Sequence, residues 1–226
     1  MILKEVYLYP DLVEYPDKIV HPFRDQSRSI CNFLERQLKA FKFNADGFKR
    51  ICIIGKSLPT AECFVNSSKV LVVEVQFDQK QYLELNEEGL NPYFAEILKA
   101  GFTKCKNQFT IPVEELMAGL DKFCADGYIN EWCFKTKEFK PLGIKCSLNC
   151  KLTTKDFTLT FLVSKGSETI FEKNILKTEP DEIVFVPMFK DISLDGDKLV
   201  VLDKYGERVY SMLIEELNIN NQEKKN

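Results

Sequence analysis

Along this chain the spacing of apolar residues changes period near residue 131, and that change limits the architectures open to it. Before it, apolar residues recur every three to four positions. In "RDQSRSICNFLERQLKAFKF", Ile30, Leu34, Leu38 and Phe41 fall at steps of four, four and three, the stripe of an amphipathic helix. Asp25 is placed to cap its amino end. "NPYFAEILKAG" sets Asn91 at a cap, Pro92 in a first helical turn and Gly101 just past an end, each where helix termini favour it. "TIPVEELMAGLDKFCADG" lines Val113, Leu116, Met117, Leu120, Phe123 and Cys124 along one side, with Glu114 and Glu115 near the positive end of the dipole and Gly127 to stop it. The segments "EVYLY", "RICII" and "KVLVVEVQF" read as strands among these helices.

Past residue 131 the period is two. "IKCSLNCKL" alternates Ile144, Cys146, Leu148, Cys150 and Leu152 with polar residues, and "FTLTFLV" does the same with Phe157, Leu159, Phe161 and Val163. "EIVFVPMF" reads as a buried run with Pro187 at an edge or a bulge. "ISLDGDKLVVLDKYGERVYSMLI" reads as three strands joined by two glycine turns. The expectation is an α+β fold: a mixed α/β part over 1–131 with about three helices, an antiparallel meander over 132–215 packed closely on it, and a polar tail over 216–226.

Bulk properties narrow the function. A chain of 226 residues buries a sizeable core without staples. Its formal charge of −3 argues against a dedicated nucleic-acid binder. Neither a signal peptide nor an apolar run long enough to span a bilayer is legible, so the reading places the protein in the cytoplasm, away from membranes. Its eight cysteines then read as reduced thiols.

The motifs that invite a chemical reading do not support one. Gly55-Lys56-Ser57 ends a strand, but a phosphate loop needs glycine where Arg50 stands. Cys146 and Cys150 sit four residues apart on one strand, about 13 Å between Cα atoms, too far for a disulfide or a shared zinc, even with Cys124 and Cys133 nearby in sequence. His21 is the single histidine and a formal partner for a cysteine nucleophile. "DGD" at 195–197 lacks the rest of a calcium loop, and "NSS" at 66–68 meets no glycosylation machinery in the cytoplasm. No catalytic residue, cofactor or metal site is assigned.

Charge is segregated in the second half. Residues 133–155 carry six lysines (135, 137, 140, 145, 151, 155) against Glu138, and residues 179–203 carry seven acids against Lys190 and Lys198. The acidic meander points to a protein partner, with Asp191, Asp195, Asp197 and Asp203 as contact residues. The leading expectation is a non-enzymatic partner-binding protein, most concretely an immunity-type inhibitor that neutralises a basic toxin or enzyme. The alternatives are an enzyme with an unrecognised Cys-His or carboxylate site, and a nucleic-acid-associated protein using the lysine-rich stretch 133–155.

Overall fold

The computed structural model describes residues 1–217, so all but the first two residues of the polar tail expected over 216–226 lie outside the described residues. The fold is of the mixed α+β class. It comprises two compact units, Met1–Asn130 and the chain from Glu131, each with its own hydrophobic core. Among the described residues no helix is long and apolar enough to cross a membrane.

The first unit runs β1 (Glu5–Pro10), α1 (Asp17–Phe41), β2 (Arg50–Lys56), β3 (Phe64–Val65), β4 (Val70–Gln76), α2 (Gln79–Glu84), α3 (Glu87–Cys105) and α4 (Val113–Ala125). Its sheet has the order β1-β2-β4-β3, with β1, β2 and β4 parallel and β3 antiparallel. Val6, Leu8, Ile51, Ile53, Leu71 and Val73 are all fully or almost fully buried in the core with the helices. Two glycines let the helices in close. A Cβ on Gly101 would stand 2.6 Å from Ile53 Cδ1, and one on Gly119 2.9 Å from Leu34 Cδ2.

The β1 margin of this sheet is sealed by side chains from α1. Along β1, the Val6 amide donates to Glu35 Oε1 at 2.9 Å, Arg28 Nη1 donates to the Val6 carbonyl at 2.9 Å, and Ser27 Oγ donates to the Leu8 carbonyl at 2.8 Å. Arg28 and Glu35 meet at 3.1 Å and are buried. On β4, Lys104 Nζ donates to the Glu74 carbonyl at 2.6 Å. An unpaired strand edge is a template for aggregation, and the α1 contacts occupy that of β1.

The second unit runs β5 (Glu131–Phe139), β6 (Ile144–Leu152), β7 (Phe157–Lys165), β8 (Glu168–Thr178), α5 (Glu182–Phe185), β9 (Asp191–Asp195), β10 (Lys198–Leu202) and β11 (Arg208–Leu213). The first four strands form one antiparallel sheet and the last three another. Their apolar faces share a core that includes Cys146, Leu148, Phe157, Phe161, Ile192, Leu199 and Val201. Gly196 and Gly206 turn the two hairpins with φ of 60° and 86°, values that residues with a Cβ rarely adopt. The edge strand β5 turns two lysines toward the core face, whereas Lys173 on the edge strand β8 stays exposed. Lys135 and Lys137 of β5 lie opposite Leu148 and Cys146, and Lys173 of β8 lies opposite Phe161. The inward charges on β5 discourage pairing with a further strand.

Several expectations need correcting. Helix α1 begins at Asp17, two turns before Asp25, so Asp25 lies inside it and caps nothing. Helix α3 is capped by Asn86, whose side chain accepts from the Gly89 amide; Asn91, Pro92 and Gly101 are all interior. "EIVFVPMF" is a helical turn and not a strand: Phe185 and Phe189 point back into the core while Ile183 is 82% exposed. Phe41 ends the α1 stripe yet is 57% exposed as the last residue of the helix. Leu217 is buried, so the packed chain runs past residue 215.

Candidate functional site

The parallel strands β1, β2 and β4 end together, and their ends and the loops that leave them carry a linked polar cluster. Asp11 follows β1. Its Oδ1 accepts from the amides of Val13 and Glu14, both at 2.9 Å, the geometry of an Asx turn. Its Oδ2 stands 3.5 Å from Lys56 Nζ at the end of β2, and Glu74 Oε1 on β4 stands 3.6 Å from the same ammonium. Glu74 Oε2 accepts from the Thr60 amide at 2.8 Å and from the Thr60 hydroxyl at 2.9 Å. Glu14 Oε1 accepts from the Ser57 amide at 2.9 Å and also from its hydroxyl. Gln76 Nε2 donates to the Ser57 carbonyl at 3.0 Å.

The titration of these groups follows from their contacts. Burial pushes the Asp11 carboxyl up, but the Glu14 and Val13 amides together with Lys56 outweigh it and hold its pKa below the ordinary value. The Thr60 amide does most to lower Glu74, against a smaller upward push from burial. Asp11 and then Glu74 raise Lys56. A lysine held so stays protonated at neutral pH and is neither base nor nucleophile.

This arrangement answers the Gly-Lys-Ser question in structural terms. Gly55 is inside β2, where a Cβ would stand 2.7 Å from that of Phe77. The Ser57 amide is taken by Glu14, and Lys56 is clasped by two carboxylates. A phosphate needs free amides and an available cation; here it would meet carboxylates.

What the cluster does is lock loops. The linked turns hold Leu12, Val13 and Leu58 outward, at 66%, 96% and 86% exposure. The Glu14–Ser57 hydrogen bonds place the Leu12–Val13 turn beside Leu58. Composition and periodicity gave no sign of this rim, because an exposed Val or Leu in a loop reads only as an apolar residue out of period.

The acidic meander is divided by its own register. Asp195 and Asp197 flank one hairpin turn, while Asp191 pairs with Leu202 beside Asp203 at the opposite end of β10. Asp191 is clasped by Lys135 at 2.9 Å and Lys137 at 3.7 Å. The Lys135 hydrogen bond does most to lower its pKa. Asp195 pairs with Arg208, and Asp203 accepts from the Tyr205 and Glu207 amides at 2.8 Å. The basic stretch is partly engaged in the same way: Lys137 also donates to the Ile192 carbonyl at 2.7 Å, and Lys151 pairs with Glu131 at 3.0 Å. Two runs that look opposite in sequence thus partly neutralise each other within one unit.

His21 lies on the exposed face of α1, with Nε2 3.7 Å from Asp17 Oδ1. Cys146 and Cys150 are buried on one face of β6. Among the described residues no group of three or more His, Cys, Asp or Glu is arranged to hold a metal ion.

The clasp makes a testable statement about pH. Both carboxylates have lowered pKa values in the fold, so their contribution is present above the unfolded values of about 4 and is lost as pH falls through the folded ones. Lys56 contributes the opposite limb, lost only as pH rises through its raised value. In a carbon-13 NMR titration, Asp11 and Glu74 are expected to titrate below ordinary carboxylates, and Lys56→Met is expected to move both upward. Unchanged values in the variant would show that the clasp does not form.

No protein-family model matches the chain, and no curated protein or solved structure matches it either.

Proposed function

We propose that this chain is a non-enzymatic partner-binding protein, most concretely an immunity-type inhibitor that captures and neutralises a basic toxin or enzyme. The observation that carries the reading is the rim of Leu12, Val13 and Leu58, apolar side chains exposed by 66–96% on turns tied by Asp11, Glu14 and Glu74. Exposed apolar groups are unfavourable in water unless something covers them. Groups already held in place lose little entropy on binding, which favours tight capture. Exposed acids flank the rim, Glu14 and Asp17 on the same stretch, and support attraction of a basic partner. Of the four meander aspartates, Asp191 and Asp195 are ion-paired and Asp203 accepts from backbone amides, so among the described residues the Asp197 carboxylate is the one left to add to that attraction.

The test is affinity capture from a nuclease-treated lysate of the encoding organism, run in parallel with Val13→Asp/Leu58→Asp. The native chain is expected to recover one basic protein in near-equal amount, and the variant to bind it about 100-fold more weakly. Recovery of no basic protein, or equal recovery by the variant, overturns the reading.

A further inference from the structure

We propose that a second copy of this chain docks on the groove between α1 and α4, forming a two-fold symmetric dimer. The groove is a separate feature from the rim, at the other end of the 25-residue α1, and the inference stands independently of the partner-binding reading. It has a volume of about 490 Å³ and a floor of Leu34, Leu38, Leu116 and Gly119, all buried in the core, while Ala40, Phe41 and Ala118 form its accessible apolar lining. Gly119 lets α4 approach α1 closely at that floor, since a side chain there would collide with Leu34. Phe41 belongs by sequence to the buried α1 stripe but stands 57% exposed. A projecting aromatic beside an apolar hollow on one face is self-complementary: under a two-fold axis, each Phe41 reaches the other copy's groove.

The charges on the bank of the groove fit the same symmetry. Glu114, Ala118 and Lys122 lie four residues apart on α4, and all three are exposed. Across a two-fold axis at Ala118 the two α4 helices run antiparallel. Glu114 of each copy then faces Lys122 of the other, and the small Ala118 side chains meet at the centre and let the backbones approach. Lys122 already pairs with Asp126 at 2.7 Å, but both side chains are about half exposed. Such a pair is weak enough to rearrange or to be shared.

Sedimentation velocity on the full chain, from about 1 to about 300 µM to cover weak dimers, reads the proposal directly. The expected mass rises from the single-chain 26.2 kDa to twice that value. Phe41→Asp is expected to raise the dimer dissociation constant at least about tenfold. Glu114→Lys alone is expected to weaken the dimer, because lysines then face lysines. Glu114→Lys combined with Lys122→Glu is expected to restore it to within a few-fold. The two positions are about 12 Å apart along one helix, so that rescue requires a contact between copies. Far-UV circular dichroism melts establish that each variant is folded. A single-chain mass throughout, a dimer indifferent to Phe41→Asp, or no rescue by the double reversal overturns the proposal; the first result would leave the groove to a foreign occupant.

Discussion

Arg28→Met is expected to lower the stability of the chain by about 3–5 kcal/mol, the cost of leaving a buried charge without its partner. Arg28 serves two needs at once. Its Nη2 donates to both oxygens of Glu35 at 3.1 Å, and its Nη1 donates to the Val6 carbonyl at 2.9 Å. Methionine fills similar space but leaves the Glu35 carboxylate uncompensated and the β1 margin short of a donor. Urea unfolding checks this: the midpoint should fall with no change in slope, since the folded state keeps its extent. Lys99→Met breaks an exposed pair with Asp121 and should cost under about 0.5 kcal/mol. Arg28→Met/Glu35→Met should recover part of the loss, because no charge is left buried, but not all of it, because Val6 still lacks both partners. A cost below about 1 kcal/mol for Arg28→Met would mean that the margin is not sealed in this way.

Phe157→Ala is expected to cost a similar 3–5 kcal/mol, through lost burial and the cavity left behind. Phe157 is fully buried on β7 and stacks on Phe185 at 3.8 Å and Phe189 at 5.5 Å between ring centroids, with the planes within 5°. Phe185 lies within the helical turn from Glu182 to Met188 and Phe189 directly follows it, so removing Phe157 withdraws the surface against which that turn is set. Hydrogen exchange should report the loss first at residues 184–189, ahead of β6 and β7, whose mutual pairing is continuous. Uniform exchange across the second unit would indicate that the turn is held by something else.

These two sites differ in how far the sequence disclosed them. Phe157 heads an alternating run, so its burial was legible from period alone. Its stacking partners were not: "EIVFVPMF" is apolar enough to pass for a strand, and the choice of a helical turn came from Asp181, whose side chain accepts from the Ile183 amide, and from the space open beside Phe157. Arg28 and Glu35 were hidden for a different reason. Charged residues seven apart on a helix read as a solvated face, and nothing local says that a strand margin lies against them. Gly101 shows the same limit. Beside Lys and Ala it resembles a helix terminator, yet it lies inside α3 because only a hydrogen there clears Ile53.

The candidate surfaces were less legible still. Leu12, Val13 and Leu58 are brought together by Glu14 bridging to Ser57 across 43 positions, and the groove of the proposed dimer joins residues 34–41 to residues 114–122. The charge runs were visible, but not that Lys135 and Lys137 would clasp Asp191.

The sequence by itself determined the α+β class, the change of hydrophobic period near residue 131 and the strands of the meander, because hydrophobic period is a local property that each segment carries whatever it packs against. Tertiary structure alone decided which charges became internal, where helices began, and which apolar residues were left outside. Those outcomes depend on distances between segments far apart in the chain, and no single stretch of residues encodes them.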